Sequence, residues 1–379
     1  MSQLFKSAQL MDEELEVIDE IRTIYKSLQY TLSTPARWNG VLRKNTFARA
    51  IRGSNSIEGY VVTQEDAIAA AEGDEPIQAE PETWLAVTGY RNALNYVSQL
   101  AKDPNFQFNE GYLRSFHFMM MQHDLTKHPG NWRPGSIYVR DERNNQIVYE
   151  GPPIQIVPKL IKEFCEYLTG EEDRDYLLVK GAMAHLNLAM IHPFSDGNGR
   201  MVRCLQTLVL ATGGIIEPTF CSIEEYLGRN TEDYYKVLAL VGQGSWHPEN
   251  DTREWIRFNL TAHYRQASTL MRRTKTIAEL WDRLEGEIKS RNLPERTIYA
   301  LSDASMGYKL RSSHYKKNAE ISSIVASRDL KLLVDLDLLN AIGEKRGRIY
   351  MGSDYLRKIW IDIQESNPKK IPDPFNAYK

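Results

Sequence analysis

The sequence predicts a mainly α-helical protein with one β-hairpin in its middle and a smaller unit of different pattern near its C-terminus. Apolar residues recur with the period of an amphipathic helix through most of the first 290 residues. Two short β-prone runs surround the polar stretch 140–145, which is typical of a hairpin. From about residue 295 the pattern changes to a turn, a helix and a second candidate hairpin.

The helices can be placed in order along the chain. The first covers residues 12–31, and Pro35 ends it. The second runs from about Val41 to Glu58, and Gly59 stands where a C-terminal glycine cap belongs. The remaining helices are predicted at about 83–101, 109–123, 154–170, 174–191 and 200–212, and as several helices within 252–291.

Composition limits the class of protein. The chain has 379 residues, 42% of them apolar and 26% charged, which is ordinary globular material. A net charge of −3 gives no global attraction to nucleic acid or anionic membrane. Three scattered cysteines indicate a reducing compartment, and the N-terminus lacks the apolar core of a signal peptide. We therefore expect a soluble cytoplasmic protein without a membrane span.

The most informative stretch is His-Pro-Phe-Ser-Asp-Gly-Asn-Gly-Arg-Met-Val-Arg at 192–203. Apolar-periodic runs precede and follow it, so it is predicted to be a loop between two buried helices. Gly197 and Gly199 flank Asn198 and allow the backbone N–H groups to turn inward. Such a nest at a helix N-terminus binds anions.

Charged side chains of the same stretch fit this anion site. Arg200 and Arg203 lie about one helical turn apart and can point at the same anion. Asp196 makes sense beside an anion if Mg²⁺ lies between carboxylate and phosphate. His192, with an ordinary pKa of ~6.5, suits a general base. The alternative is a functionless turn, because Asp-Gly and Asn-Gly are common turn dipeptides.

The stretch resembles the signature of Fic-domain proteins, His-x-Phe-x-Asp/Glu-Gly-Asn-Gly-Arg-x-x-Arg, at every fixed position. The resemblance implies a Fic-type helical bundle that transfers AMP from ATP to a protein hydroxyl. It implies that His192 deprotonates the hydroxyl, that Asp196 binds Mg²⁺ and that Phe194 anchors the loop inward. The phosphates would be held by the remaining signature residues, Gly197, Asn198, Gly199, Arg200 and Arg203.

A second informative stretch is Ser54-Asn-Ser-Ile-Glu58-Gly59, at the end of the second predicted helix. Glu58 in the last turn opposes the helix dipole, so it is either a solvated surface residue or paired with a cation. The stretch resembles the inhibitory motif of Fic proteins, Ser/Thr-x-x-x-Glu-Gly/Asn. The resemblance implies that Ser54 and Glu58 are regulatory and that Glu58 pairs with Arg203.

The predicted hairpin from Ile137 to Tyr149 resembles the Fic flap, which lies over the active site and holds the target protein by strand addition. On that resemblance Ile147, Val148, Tyr149 and Glu150 border the nucleotide. The alternative is a structural hairpin that packs on helices.

Tyr234 and Tyr235 follow Asn230, a good N-cap residue. The two rings can stack on a base or simply pack. In related Fic proteins a tyrosine here and an asparagine about two turns later contact the nucleoside. The asparagine has no clean match, because Gly-Gln-Gly-Ser-Trp occupies residues 242–246.

Residues 295–360 resemble a winged helix, with 326–336 as the recognition-type helix and 343–349 as the wing. Nine Lys/Arg face five Asp/Glu between Lys309 and Tyr350. Contacts to DNA phosphates would come from Arg328, Lys331, Lys345, Arg346 and Arg348. The acidic Asp329, Asp335 and Asp337 favour target recognition, dimerisation or scaffolding instead.

Together these patterns predict an N-terminal helical region at 1–110, a Fic core at 111–290 and a winged-helix domain with tail at 295–379. The predicted function is transfer of AMP from ATP to a Ser, Thr or Tyr hydroxyl of a target protein and of the chain itself, with Glu58 as inhibitor. Three alternatives remain: transfer of another nucleotide, removal of AMP with Glu58 orienting water, and regulation through DNA. A homodimer is possible.

Overall fold

The computed structural model describes residues 3–33, 35–140, 145–170, 176–344, 348–367 and 371–375. The described chain is mainly helical, as predicted. Its first nine helices are α1 Asp12–Ser33, α2 Asn39–Ile57, α3 Gln64–Glu72, α4 Pro81–Leu100, α5 Glu110–Met121, α6 Val157–Thr169, α7 Leu177–Ile191, α8 Asn198–Thr212 and α9 Pro218–Cys221. The later helices are α10 Glu224–Arg229, α11 Thr231–Gly242, α12 Arg253–Ser290, α13 Ile298–Ser305, α14 Ser312–Asn318, α15 Ser323–Asp335 and α16 Asp354–Ser366.

The described residues also form two antiparallel hairpins. Strands β1 Tyr138–Arg140 and β2 Ile147–Glu150 form the predicted central hairpin, with an irregular register after Val139. Strands β3 Leu339–Ile342 and β4 Ile349–Gly352 form the second. The region 252–291, predicted as several helices, is the single helix α12, because it contains no proline or glycine pair that would interrupt it.

The described chain divides into two compact units. Unit 1 contains residues 1–35, 43–268 and 372–379, and unit 2 contains 36–42 and 269–371. Helices α2 and α12 contribute residues to both units. No described helix is long and apolar enough to cross a membrane.

Helix α7 lies in the centre of unit 1. Every residue of α7 except Ala189 is buried, because α6 and α8 pack along it. Its buried polar side chains are satisfied: His185 bonds Gln206 and Tyr234, and Asn187 bonds both backbone groups of Phe5. A rigid, fully packed helix therefore leads directly into the loop at His192.

A close backbone approach fixes the end of α2 in unit 1. A Cβ at Gly53 would lie 2.4 Å from the carbonyl oxygen of Glu224, so only glycine fits there. Ile57 ends α2, and Gly59 follows in the left-handed region with φ +83°. The predicted glycine cap is confirmed, because the N–H of Gly59 donates to Ser56 and that of Tyr60 to Asn55.

Unit 2 contains a helix pair and a hairpin. Helices α14 and α15 pack together, and β3–β4 follows directly. The backbones of Leu310 and Tyr350 exchange hydrogen bonds of 2.9 and 2.8 Å, which adds one isolated antiparallel bridge beside β4. The predicted recognition-type segment lies in α15. Of the predicted wing 343–349, residues 345–347, which include Lys345 and Arg346, lie outside the described residues.

Candidate active site

The loop between α7 and α8 begins at His192, which has φ +49° and ψ +59°. This left-handed conformation turns the chain sharply out of the helix. Arg133 holds the turn: its Nε donates to the carbonyl of His192 at 3.0 Å, and its backbone N–H donates to Pro193 at 2.8 Å. The position of His192 is therefore set by packing and by hydrogen bonds to its own backbone.

Phe194 anchors the inside of the loop. It is fully buried, and its ring stacks on His117 at 3.8 Å with a 3° angle between the planes. The side chain of Asn198 accepts from the N–H of Phe194 at 3.0 Å and donates to its carbonyl at 2.8 Å. The Asn198 amide thus braces the loop, so only its backbone N–H is free to bind an anion.

His117 also supports the loop by hydrogen bonds. Its Nδ1 accepts from the N–H of Gly130 at 2.8 Å, so Nε2 carries the proton and donates to the carbonyl of Asp196 at 2.9 Å. Burial lowers the pKa of His117 to about 4, which keeps the ring neutral at pH 7.

Helix α8 presents its N-terminus to the site. Gly197 precedes it with φ +72°, and a Cβ there would lie 2.9 Å from Sδ of Met121, so both conformation and space require glycine. The first-turn N–H groups of a helix have no intrahelical acceptor. We call these N–H groups of Asn198, Gly199 and Arg200, together with the guanidiniums of Arg200 and Arg203, the anion cradle.

Arg203 is held by two residues of the motif at the end of α2, Ser54 and Glu58. Its Nε donates to Ser54 Oγ at 2.8 Å, and its Nη2 donates to the Ser54 carbonyl at 3.0 Å and to Glu58 Oε1 at 2.7 Å. Burial alone would lower the pKa of Arg203, but the carboxylate of Glu58 raises it, so the group stays charged. Its buried Nη1 has no partner among the described residues.

Glu58 lies inside the cradle itself. A Cβ on Gly199 would lie only 2.2 Å from Glu58 Oε1, so the carboxylate touches the first turn of α8. An anion is favoured at this place by the helix dipole and by Arg203. The carboxylate therefore occupies space that a second anion would need.

Arg200 is almost completely buried, at 1% exposure. Neither its Nε nor its Nη1 has a partner among the described residues. Its third nitrogen, Nη2, meets only the weak acceptor Sδ of Met121. Buried donors without partners cost free energy, so this guanidinium fits a site completed by an anionic ligand.

Asp196 extends towards solvent at the edge of the cradle. Its Oδ2 lies 3.2 Å from Nζ of Lys127, and its Oδ1 accepts from the N–H of Gly197 at 2.6 Å. The hydrogen bond with Asp196 raises the pKa of Lys127. A half-exposed carboxylate beside an anion cradle fits Mg²⁺, which typically takes one or two carboxylates and completes its shell with phosphate and water.

His192 has the hydrogen-bond pattern of a base. Its Nδ1 lies 3.2 Å from the carbonyl of Ala189, an acceptor only, which assigns the proton to Nδ1 and leaves the Nε2 lone pair free. Desolvation lowers the pKa of His192, and the charge of Arg133 acts in the same direction. The ring is therefore neutral at pH 7 and able to take a proton.

The hairpin β1–β2 is tied to this loop. Arg133 donates through Nη1 to the carbonyl of Gly135 and through Nη2 to that of Pro152, at the base of the hairpin. Ile147 and Val148 are exposed, at 51% and 39%, as is Glu150. The N–H of Glu150 donates to Gly244, so the end of β2 is also paired to the segment after α11.

Of the three tyrosines predicted near the nucleotide, Tyr149 and Tyr234 are buried and Tyr235 is exposed. Tyr149 is buried, and its hydroxyl donates to the carbonyl of Met190 at 2.8 Å. Tyr234 is 2% exposed and packs among His185, Trp255 and Phe258. The structure therefore leaves no room for a base on Tyr234 without repacking, whereas Tyr235 is 47% exposed.

Four residues that support the site were not predicted from the sequence: Arg133, His117, Lys127 and Tyr60, whose ring centroid lies 5.1 Å from Cζ of Arg200. Of these four, Arg133 alone carried a local signal, because it stands in the turn-rich sequence Trp-Arg-Pro-Gly at 132–135, just before the hairpin. The predicted N-cap residue Asn230 stands at the start of α11, but its side chain donates to the carbonyl of Tyr226 and forms no cap.

Part of the chain is similar in sequence to a known protein family. Residues 107–210 match the sequence profile of the Fic/DOC family. The chain is similar to a protein adenylyltransferase Fic of Nematostella vectensis, with 26% identity over 257 residues, covering 67% of this chain and 54% of that protein. It is 34% identical over 93 residues to a probable protein adenylyltransferase of Aquifex aeolicus, covering 24% of this chain and 29% of that protein. The chain thus spans about half or less of these relatives.

Solved structures share the fold. A Fic family protein from Desulfovibrio desulfuricans matches with a TM-score of 0.57 at 22% identity, covering 92% of this chain and 99% of that one. A Fic-domain signaling protein from Bacteroides thetaiotaomicron matches with a TM-score of 0.54 at 18% identity, covering 68% and 97% of the two chains.

Proposed function

We propose that this chain, whose residues 107–210 match the Fic/DOC family, is a protein adenylyltransferase. It would transfer AMP from ATP to a Ser, Thr or Tyr hydroxyl of a protein. The observation that carries the proposal is the convergence of a free imidazole base with a cradle whose buried arginines have unpartnered donors. Relatives named protein adenylyltransferase support it.

In the proposed reaction, Nε2 of His192 takes the proton of the attacking hydroxyl while Nδ1–H stays bonded to Ala189. A bond forms between the hydroxyl oxygen and the α-phosphorus, and the bond from that phosphorus to the bridging oxygen breaks. Pyrophosphate leaves with the electron pair, and its charge develops towards Arg200 and Arg203. The proton later passes from His192 to solvent.

Asp196 would hold Mg²⁺ together with phosphate oxygens. When bound, the ion would neutralise charge on the phosphates. Lys127 would then give up its present contact of 3.2 Å with Asp196. In this way the same lysine would shield the carboxylate whenever the cation is absent.

Glu58 would act as a built-in inhibitor. Its carboxylate takes one donor of Arg203 and lies against Gly199, where it would repel the phosphates of ATP. Ser54 would reinforce the inhibited arrangement, because it binds the same guanidinium through two atoms. Removing the carboxylate should free the cradle while leaving the loop intact.

The hairpin would bind the protein substrate by strand addition. Ile147 and Val148 are exposed, and Arg133 ties the hairpin to the backbone of His192. Backbone pairing of this kind would give little sequence selection, so many segments could be presented to the base.

The test is incubation of Glu58→Gly protein with Mg²⁺ and α-labelled ATP, GTP, UTP or CTP. We expect label from ATP on the protein itself, at a level at least ~10-fold above wild type. Glu58→Gly combined with His192→Ala is the control, and loss of the base should lower the rate ~10²–10⁴-fold. Label from another nucleotide would change the donor, and no label from any donor, even with added target protein, would overturn the proposal.

Removal of AMP is tested with the same preparations. Glu58 would then orient water, so wild type should strip label from modified protein faster than Glu58→Gly. Equal label retention with both proteins would leave transfer as the only activity.

A second function is favoured by charge. Unit 2 contains 21 Lys/Arg and 14 Asp/Glu, although the whole chain has a net charge of −3. We propose that unit 2 is a winged helix that binds duplex DNA, with α15 in the major groove. An excess of positive charge in one unit is the electrostatic footprint of such binding.

The burial pattern of α15 supports this second proposal. Ile324, Arg328 and Lys331 are exposed on one face, while Leu330 and Leu333 are buried. Asp329 does not lie on the exposed face: Arg296 binds it at 2.7 and 2.9 Å, and Tyr315 donates to it at 2.8 Å. Of the three acidic residues that count against DNA binding, Asp329 is thus neutralised inside unit 2, whereas Asp335 and Asp337 remain exposed.

DNA binding is tested by fluorescence anisotropy with a mixed-sequence 30-base-pair duplex at two salt concentrations. Arg328→Glu with Lys331→Glu should weaken binding more than ~10-fold and reduce the salt slope by about two. Arg283→Glu with Lys289→Glu, on α12, makes the same charge change and should have a small effect. Equal losses in both variants, or no binding by wild type, would reject the proposal.

A further inference from the structure

The ring of Tyr60 lies against Arg200, one of the two arginines of the cradle. Cζ of Arg200 lies 5.1 Å from the ring centroid, which is cation–π distance. Arg200 is 1% exposed, so the interaction takes place largely away from water. Desolvation makes a cation–π contact stronger than it is at a surface.

Local structure fixes Tyr60 in this place. Gly59 turns the chain at the end of α2 with φ +83°, and the N–H of Tyr60 donates to the carbonyl of Asn55 at 3.0 Å. Tyr60 thus follows Glu58 by two residues on a defined turn. One short segment, 54–60, therefore contacts both arginines of the cradle.

The two contacts have opposite chemical consequences. Glu58 accepts a hydrogen bond from Nη2 of Arg203 and so occupies a donor in the guanidinium plane. A cation–π contact with a ring supplies no hydrogen-bond acceptor of the usual kind, so it does not take up a guanidinium N–H in the way that a carboxylate does. Nε and Nη1 of Arg200 are indeed without partners among the described residues. Contact with Tyr60 orients Arg200 but leaves its donors free to bind a ligand.

We propose that Tyr60 is a positioning residue that holds Arg200 ready for the β-phosphate of the nucleotide. The assignment rests on the proposed function of the cradle as a polyphosphate site. Segment 54–60 then has two roles: Glu58 blocks the cradle, and Tyr60 prepares it. Activation must accordingly move the Glu58 side chain while Tyr60 stays on Arg200.

The experiment uses the full chain with Glu58→Gly as parent. Tyr60→Leu removes the ring, Tyr60→Phe keeps it, and Val61→Ala, at a neighbouring side chain that is 69% exposed, is the matched control. Calorimetry with inorganic tripolyphosphate measures the cradle without catalysis, and labelling kinetics give KM for ATP and kcat. Tyr60→Leu should raise both the Kd for tripolyphosphate and the KM about tenfold, with kcat changed less than threefold. Tyr60→Phe and Val61→Ala should match the parent.

Two results would overturn the assignment. One is unchanged tripolyphosphate binding in Tyr60→Leu. The other is increased labelling when Tyr60→Leu is made in the chain that retains Glu58, because Tyr60 would then be a further inhibitory contact. If Tyr60→Leu weakens tripolyphosphate binding but the parent labels nothing, the role of Tyr60 stands and the transferase activity fails.

Discussion

Glu58 and Arg203 form an ion pair of 2.7 Å that joins the end of α2 to the first turns of α8. The side chain of Arg203 is completely buried and that of Glu58 is 22% exposed. The pair spans 145 residues of sequence. A carboxylate thereby lies at a helix N-terminus that is otherwise suited to bind phosphate.

Replacing Ser54 by alanine should destabilise the protein. Its Oγ accepts from the buried Nε of Arg203 at 2.8 Å, so the substitution leaves a buried charged donor unpaired. We expect a loss of ~1–3 kcal/mol in the free energy of unfolding, measured by urea denaturation. Ser56→Ala is the control, because the Ser56 hydroxyl donates to the carbonyl of Gly53 in its own helix. Equal losses for the two serines would contradict the argument.

The labelling activity should be retained when the pH is lowered into the mildly acidic range. Desolvation lowers the pKa of His192, and a base works only when it is deprotonated. Glu58 acts to raise this pKa, so Glu58→Gly should lower it further. The acid limb of kcat/KM for that variant should therefore lie below pH ~6.5, the ordinary value for histidine. A limb centred above that value would argue against His192 as the base.

Stability should depend on pH through His185. Burial lowers its pKa to about 3, whereas the unfolded chain takes up the proton near pH ~6.5. The stability supplied by the neutral ring is therefore complete above ~6.5 and is lost as pH falls towards 3. The expected slope is ~1.4 kcal/mol per pH unit for one proton.

Urea denaturation at pH 7 and pH 5 tests this slope. Between these two pH values the free energy of unfolding of wild type should fall by ~2 kcal/mol more than that of His185→Gln, by the same linkage. Other titrating groups are common to the two proteins and cancel in the difference. Parallel losses in both would show that His185 is not the group responsible.

In unit 2, Asp329→Ala should loosen α15. It removes the partner of Arg296 and of the Tyr315 hydroxyl. We expect a loss of ~3 kcal/mol, the lower end for breaking a buried pair, because Arg296 is 39% exposed and can be hydrated. Hydrogen exchange of the α15 amides reports the change, and the exposed Asp335→Ala is the control. Unchanged exchange in Asp329→Ala would refute this prediction.

Much of the fold and of the cradle could be predicted because local patterns carry them. The glycines around Asn198 and the arginines one turn apart define an anion site without knowledge of the rest. The pairing of Glu58 with Arg203 could be expected only from the resemblance to the Fic inhibitory motif. The sequence around a single glutamate at a helix end does not indicate which distant residue it contacts.

Other features depended on packing that no local pattern records. Tyr234 and Tyr235 are adjacent and chemically identical, yet only Tyr235 is exposed, because α11 turns its neighbour towards Trp255. His117 and Lys127 reach the loop from other parts of unit 1. Their roles follow from tertiary contacts between segments about 70 or 80 residues apart.

The hydrogen bonds of Arg133 fix the position of the hairpin β1–β2 relative to His192. One guanidinium bonds the base of the hairpin through Gly135 and Pro152 and also bonds the carbonyl of His192. A segment that pairs with the hairpin would therefore meet the imidazole at a set distance along its own backbone. Such an enzyme would select a hydroxyl by its position along the paired segment rather than by the amino-acid sequence around it.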